Sequence, residues 1–582
     1  MERLFDTHRI RSRRELDGYW NINAKGEAHT QQLEWEGSAL VPSVVESIPG
    51  LEDFRGTVTY SKKFELSQII NASPKPEFYR FVCKGVSFSS SLKIDGKEIA
   101  RHYNAYTAFD GIVSINSDHV TAVIEANNEF GPKSALHFDN DYYSYCGIIR
   151  PVIVEVVPRF FIEYIHFTPR ETPDGWWATI EVSVRDCLAS TSAAEQMNAE
   201  SFCLRLFMDD GEFGTLDFGN KADTKDDDST RVVFQKDFYF GDVEPYTQRS
   251  PRLHHIMAVL EENGTATDDL IDRVGFRSVE VRGNEVYFGQ EKLHFVGFNR
   301  HEDSPQFGSA LPVEMMALDL QIMRDLGATS VRTSHYPNDE RFLDMCDELG
   351  MLVWEEAHWR GKEPQGHNPL VLQQTLDCIH EMVTEHYNHP AIYTWGIFNE
   401  YDSNTEDGAE MYRVAYQKLG QLDASRPKTS ATMHALDGDL CLGMADIVSV
   451  NIYPQWYLEE STAMHLRRVR DAIALTDGRD KPLIVSEIGA GALPGFRDVR
   501  RSKWSEERQS DILSEQLTAL MEDQELVGVY IWQFCDVRVS EGWALARPRT
   551  MNNKGIVDEY RRPKLAYQVV KEILHSRVGQ SE

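Results

Sequence analysis

The chain has no CxxC pair among its eight cysteines, which stand singly at Cys83, Cys146, Cys187, Cys203, Cys346, Cys378, Cys441 and Cys535. Several lie in apolar runs, as Cys83 does in Phe81-Val82-Cys83. Buried, reduced thiols are therefore expected rather than a disulfide framework or a zinc site. The chain also lacks any run of the roughly 18 to 20 apolar residues that a membrane span needs, so no membrane partner is expected. Its first residues, Met1-Glu2-Arg3-Leu4-Phe5-Asp6, carry no apolar signal core, and the expected location is cytoplasmic. Cations are scarce: 60 Lys and Arg face 92 Asp and Glu, for a formal net charge of −32. That balance excludes nucleic acid and anionic membrane surfaces as partners. It also means that a site for an anionic ligand must supply its own local cation.

At 582 residues the chain is too long for one core. Three regions separate by pattern. Residues 1–158 alternate strand-like segments with turns, as in Thr57–Phe64, Phe78–Lys84 and Val120–Ala126, and helical periodicity is scarce. A jelly-roll β-sandwich of sugar-binding type is predicted there. Residues 159–278 are again β-rich, with Trp176–Val184 alternating at period two and a polar stretch from Asn220 to Thr230 expected as an exposed loop. This length and pattern predict a smaller immunoglobulin-like sandwich. From 279 to 582, apolar runs of strand length alternate with amphipathic helical stretches. The predicted strands are Leu293–Arg300, Ser330–Thr333, Leu352–Glu355, Ile392–Ile397, Lys428–Thr432, Ile447–Asn451, Leu483–Ser486 and Val527–Gln533. Predicted helices such as Val313–Leu326, Glu340–Leu349 and Ser505–Met521 separate most of them. Eight βα repeats make a (β/α)8 TIM barrel. The predicted fold class is thus a multi-domain β plus α/β chain.

Polar and aromatic residues crowd the ends of these strands, the face on which barrel enzymes work. Two glutamates stand out. Glu400 ends the run Ala391-Ile392-Tyr393-Thr394-Trp395-Gly396-Ile397-Phe398-Asn399, and Glu487 ends Lys481-Pro482-Leu483-Ile484-Val485-Ser486. A carboxylate at the tip of a buried strand is costly to hold there without a task. Two of them on separate strands can face each other across a substrate, which is the minimum equipment for cleaving a glycosidic bond. Eleven tryptophans and 23 tyrosines suit sugar stacking, although a large core alone accounts for them.

The three-part order and the tip motifs resemble glycoside hydrolase family two, in its β-glucuronidase subgroup. The motifs are Arg300-His301-Glu302-Asp303, Arg332-Thr333-Ser334-His335-Tyr336-Pro337, Trp395 through Asn399-Glu400, Ser486-Glu487, and Asn552-Asn553-Lys554-Gly555. The resemblance implies a retaining exo-glycosidase that releases a terminal β-linked uronic acid through a covalent glycosyl-enzyme. It makes Glu400 the general acid/base and Glu487 the nucleophile. By the same resemblance Asn399 binds the sugar 2-hydroxyl, with helix capping as its plain alternative. Tyr453 donates to the nucleophile, Tyr457 forms part of the wall, and Trp532 stacks under the sugar ring. His301 and Asp141 are implied sugar contacts, while His335 supports the neighbouring acids. Asn552 and Lys554 match an Asn-x-Lys motif that grips a uronic carboxylate, for which Lys supplies a point charge. No metal and no cofactor are implied. A homo-oligomer, dimer or tetramer, is implied by the resemblance alone.

Several positions depart from the subgroup's pattern. Tyr401 stands where Pro commonly follows Asn-Glu, Ile488 stands where Tyr follows the nucleophile, and Ile452 stands where an Arg often follows Asn451. Arg547-Pro548-Arg549-Thr550-Met551 precedes Asn552 where glycines are usual, and Arg547 or Arg549 offers a second carboxylate contact. These positions surround the C4–C6 side of the sugar. Glucuronate is the expected product, with β-galacturonide or β-galactoside cleavage as alternatives. A non-catalytic carbohydrate-binding protein is the remaining class, disfavoured because both glutamates keep their contexts. The segment Arg360–Pro369 is too short for a long lid, which predicts an open leaving-group side.

Overall fold

Alternating burial builds the β-rich half of the molecule. The computed structural model describes residues 2–68, 78–188, 202–222, 230–361 and 369–578. Most of the polar stretch from Asn220 to Thr230 (residues 223–229), and most of Arg360–Pro369 (residues 362–368), lie outside those ranges. The strand Gly175–Asp186 shows the period-two burial that its sequence announces. Two compact units partition the chain: Met1–Asn128 with Cys146–Ser278 and Thr384–Pro390, and Glu129–Tyr145 with Val279–Val383 and Ala391–Glu582.

In the first unit, a six-stranded sheet ordered Gln31–Val41, Gly18–Ala28, Arg55–Glu65, His119–Asn127, Ser89–Ile94 and Lys97–Tyr103 accompanies a four-stranded sheet of Arg13–Glu15, Val152–Val157, Phe78–Cys83 and Phe109–Val113. Trp20, Phe54, Tyr60, Phe81 and Ile124 belong to the core they share. This is the predicted sandwich. The second sandwich has a three-stranded sheet (Phe160–Thr172, Gly175–Asp186, Arg231–Gly241) and a four-stranded one (Gly211–Leu216, Phe202–Met208, His254–Glu262, Thr265–Val274). Seven strands in a three-plus-four split suit an immunoglobulin-like fold. Buried Arg11 ties the two sandwiches together, pairing with Glu155 at 3.1 Å and Asp268 at 2.7 Å and donating to the Ile162 carbonyl at 2.6 Å.

The second unit is a closed parallel barrel. Its strands are β1 (Phe295–Asn299), β2 (Ser330–Arg332), β3 (Leu352–Glu356), β4 (Ile392–Asn399), β5 (Lys428–Thr432), β6 (Ile447–Asn451), β7 (Leu483–Ile488) and β8 (Leu526–Ile531). Seven of the eight are buried along their whole length, as parallel strands covered on both faces should be. Helices α1 (Val313–Asp325), α2 (Glu340–Leu349), α3 (Pro369–His386), α4 (Glu406–Leu422), α5 (Thr462–Ile473), α6 (Glu506–Met521) and α7 (Leu565–Val578) follow the strands, except that turns alone connect β5 to β6 among the described residues. Their limits are set by local chemistry. Asp339, Thr405, Ser461 and Ser505 cap N-termini with side-chain acceptors, and Gly350 closes α2 at φ 66°. All eight cysteines are free. Among the described residues no helix is long and apolar enough to cross a membrane.

Candidate active site

Both glutamates occupy places where the barrel ladder is irregular. β4 shifts register against β5 between Gly396 and Asn399. Glu400 follows with φ 55°, a left-handed conformation that costs a side chain about 1–2 kcal/mol. Its N–H donates to the Ala431 carbonyl at 2.8 Å, which pins the tip of β4 to β5. β7 shifts register against β6 between Val450 and Asn451, and against β8 between Val485 and Ile488. Glu487 lies in that stretch. Such bulges re-aim a side chain out of the strand's regular alternation.

A buried hydrogen-bonded relay joins the two acids. Arg332, at the end of β2, grips Glu356 of β3 through Nε at 2.7 Å and Nη2 at 3.0 Å. Its Nη1 donates to Glu487 Oε1 at 3.0 Å and to Asn299 Oδ1 at 2.9 Å, and its Nη2 donates to Asn399 Oδ1 at 2.9 Å. Asn451 Nδ2 donates to the same Asn399 oxygen at 3.2 Å and to Glu400 Oε1 at 3.0 Å. Ser486 fixes the Asn451 amide by donating to its Oδ1 at 2.7 Å. Tyr453 closes the other side of Glu487, with its hydroxyl donating to Oε2 at 2.5 Å. The Glu487 side chain is only 5% exposed. Burial pushes its carboxyl up to about 7 and the charge of Glu400 adds to the rise, while Arg332 and Tyr453 pull the other way. A carboxyl shifted this far by burial and a neighbouring acid marks Glu487 as part of a candidate functional site.

A second set of charges faces the pair. Asp141, from the Glu129–Tyr145 segment of the barrel unit, pairs with Arg360 at 3.2 Å and Arg547 at 3.4 Å and accepts from Asn552 Nδ2 at 3.2 Å. Burial opposes its ionisation, but Arg360, Arg547 and Lys554 outweigh burial and hold the carboxyl down at about 2. Arg360 also reaches Glu400 at 3.7 Å. Lys554 donates to the Tyr457 hydroxyl at 2.8 Å and lies 4.6 Å over the Tyr453 ring. Burial alone would raise the Tyr457 phenol, yet the Lys554 ammonium brings it below its ordinary value. Gly555 makes this turn possible: a Cβ there would stand 2.3 Å from the Asp536 nitrogen and the Val557 oxygen.

These groups line a cavity of about 500 Å³. Asp141, Arg360, Glu400, Tyr453, Tyr457, Glu487, Trp532, Arg547 and Lys554 are on its wall. Trp532 stacks one face on His335 at 5.0 Å and 15° and meets the edge of His301 at 5.4 Å. Burial holds both imidazoles well below the ordinary histidine range, so neither is a cation. His335 Nδ1 donates to Glu356 Oε1 at 2.8 Å, and His301 Nδ1 bonds the Tyr336 hydroxyl at 3.2 Å. Their Nε2 atoms and Asn552 Oδ1 are buried without a hydrogen-bond partner among the described residues. Unpaired buried polar atoms gathered at one site point to a ligand.

The ten residues singled out from the sequence therefore converge, but in two layers. Seven of them line the cavity; Asn399, His301 and Asn552 bond to or pack against residues that do (Asn451, Trp532 and Asp141). Asn399 caps no helix. Its Oδ1 is taken by Arg332 and Asn451, which leaves Nδ2 to meet a ligand. Arg549, one of two candidate extra cations, pairs instead with Glu559. Sequence reasoning gave no role to Arg332, Asn451, Glu356 or Arg360. Arg332 carried a usable signal, because an arginine directly after a buried Ser-Val pair must be buried and so must be paired.

The barrel region, residues 279–577, matches the family model described as glycosyl hydrolases family 2, TIM barrel domain. The chain is 25% identical to a β-glucuronidase of Mus musculus over 617 residues, spanning 97% of this chain and 90% of that one. Its fold superposes on a family 2 β-galacturonidase from Eisenbergiella tayi, solved bound to galacturonate, with TM-score 0.88 and 42% identity over 99% of each chain. A β-D-glucuronidase structure from Dictyoglomus thermophilum shares the fold at TM-score 0.81 and 22% identity, over 97% of each chain. This chain belongs to glycosyl hydrolase family 2 and is a glycoside hydrolase.

Proposed function

We propose that this enzyme is a retaining exo-β-uronidase, with Glu400 as general acid/base and Glu487 as nucleophile. Glu400 gives its proton to the glycosidic oxygen while ionised Glu487 attacks the anomeric carbon. The aglycone leaves as an alcohol and the sugar stays as an ester on Glu487. Glu400, now a carboxylate, takes a proton from water, whose oxygen attacks the same carbon and releases the uronic acid. Arg332 and Tyr453 stabilise the ionised nucleophile. The Nδ2 of Asn399 is the atom available to the 2-hydroxyl, and Trp532 offers a flat wall to the ring.

The observation that carries the uronide reading is charge. The cavity is lined by three permanent cations, Arg360, Arg547 and Lys554, and three carboxyls, Asp141, Glu400 and Glu487. Resting retaining chemistry puts one proton on the glutamate pair, which leaves a local surplus of one positive charge. A C6 carboxylate matches it; a neutral galactoside leaves it unmatched. Between the two C4 epimers, the likeness to the galacturonidase favours galacturonide, at 42% identity against 25% for the mouse glucuronidase. The eight free thiols support a reducing, cytoplasmic setting.

Initial rates on para-nitrophenyl β-galacturonide, β-glucuronide and β-galactoside test this. Galacturonide should be fastest and galactoside slowest by about a hundredfold or more, as loss of a charge-assisted contact implies. Galactoside turnover equal to either uronide would defeat the uronide reading. Proton NMR of the first-released sugar tests retention: an α anomer appearing first would defeat the double displacement.

A further inference from the structure

We propose that the arc of the cavity formed behind β5 and β6 is a leaving-group subsite built for flat, apolar aglycones rather than for a second sugar. This rests on the glycosidase reading above. The lining residues are segregated by strand. Every Asp, Glu, Lys and Arg on the wall comes from the Asp141 segment, from β7 itself, or from the segments after β3, β4 and β8. The loops after β5 and β6 contribute the apolar Met433, Leu436 and Leu458 and no Asp, Glu, Lys or Arg; the polar groups from this side are Asn451 at the tip of β6, Tyr453 and Tyr457 in its loop and His465 in α5. Because neighbouring strands in a closed barrel have neighbouring loops, these apolar side chains share one arc. Met433, Leu436 and Leu458 are 45%, 40% and 45% exposed, an uncovered apolar rim on the mouth of a charged site.

The proton donor fixes which side of the bond this arc serves. Glu400 is bonded through its N–H to Ala431 of β5, and its carboxylate is held by Asn451 of β6. The group that protonates the glycosidic oxygen therefore leans against the apolar arc, and the aglycone on that oxygen extends the same way. A second sugar would turn several hydroxyls toward thioether and isobutyl groups, which cannot replace its lost water. A flat apolar ring would instead bury surface there, and methionine adapts to rings of differing outline.

The test is the triple variant Met433→Ser, Leu436→Ser, Leu458→Ser in the full-length enzyme. All three side chains are substantially exposed, so folding should survive, and a thermal melt verifies that. Naphthyl and methyl glycosides of whichever sugar the enzyme cleaves fastest are compared. The variant should lose about tenfold in kcat/KM on the naphthyl glycoside, chiefly through KM, with the methyl glycoside unchanged. Wild-type enzyme should show a lower KM for the naphthyl glycoside than for a disaccharide of the same sugar. Equal loss on both glycosides, no loss on the naphthyl glycoside, or a lower KM for the disaccharide would overturn the proposal. Failure of the uronide reading would change which sugar is used and leave this ratio intact.

Discussion

Removing the hydroxyl of Tyr453 should move the acid limb of the rate profile upward. The Tyr453 hydroxyl donates to Glu487 Oε2 at 2.5 Å in a site where Glu487 is 5% exposed, so no bulk water stands ready to replace it. A hydrogen bond to a charged group is worth about 1.5–3 kcal/mol. Protonated Glu487 would keep a weaker version of it, so roughly half that sum separates the two protonation states. At 1.36 kcal/mol per unit this is about one pH unit. Wild-type kcat/KM should fall as Glu487 protonates below about 7. In Tyr453→Phe that fall should begin about one unit higher, because a donor that favoured the ionised form is gone. Glu400→Gln should leave that limb in place, since Glu400 is already neutral in the one-proton form that reacts. The assay is kcat/KM against pH with a dinitrophenyl uronide, whose leaving group departs without a proton and so keeps Glu400→Gln measurable. A limb that stays in place in Tyr453→Phe, or that moves in Glu400→Gln, would refute the charge reasoning.

Two further outcomes follow from the cations and their acid. Lys554→Met should cost about 2–3 kcal/mol of transition-state binding on uronides, roughly 30- to 150-fold in kcat/KM, and leave residual galactoside turnover unchanged; equal loss on both would return Lys554 to a structural role. The Asp141 carboxyl is depressed to about 2, so the stability it contributes is complete above its ordinary value near 4 and disappears as pH falls through about 2. Asp141→Asn should therefore lower the urea midpoint at neutral pH, by an amount on the order of 2 kcal/mol, and lose less than wild type on acidification. Identical urea midpoints at neutral pH would count against it.

The barrel was legible because buried parallel strands are continuous apolar runs with polar tips. Lys428–Thr432 and Ile447–Asn451 were bounded to the residue. Boundaries slipped where the run continues past the ladder. Leu293–Arg300 reads as one strand, but only Phe295–Asn299 pairs in the barrel; the Leu293 N–H donates instead to the Val286 carbonyl of the preceding hairpin. In the last strand, Trp532 and Gln533 have the strand's composition but lie past its end, where Trp532 lines the cavity and Gln533 donates to the Asn552 carbonyl. The acids themselves were legible because an ionisable residue closing an apolar run is costly. The relay between them was not. Arg332 meets Glu487 across 155 positions and Asn399 across 67, and pattern within a window cannot report such pairings. Arg360 and Arg547 were obscure for the same reason, since Asp141 defines their role from a different part of the chain.

The site must hold cations that are paired when it is empty and available when it is filled, and it solves this differently for arginine and lysine. Arg360 and Arg547 share Asp141, so their charge is half-spent before any ligand arrives. Buried arginine needs such a partner, because an uncompensated guanidinium there would cost several kcal/mol. Lys554 leans on a phenol, which accepts a hydrogen bond while carrying no charge of its own. A substrate carboxylate arriving at Lys554 therefore meets a full positive charge and displaces only a neutral oxygen. The Tyr457 side of the cavity can release that oxygen to water, because Tyr457 is 54% exposed. On the uronide proposal, discrimination for the anion therefore falls chiefly on Lys554, with the two arginines as a fixed, directional rim beside it.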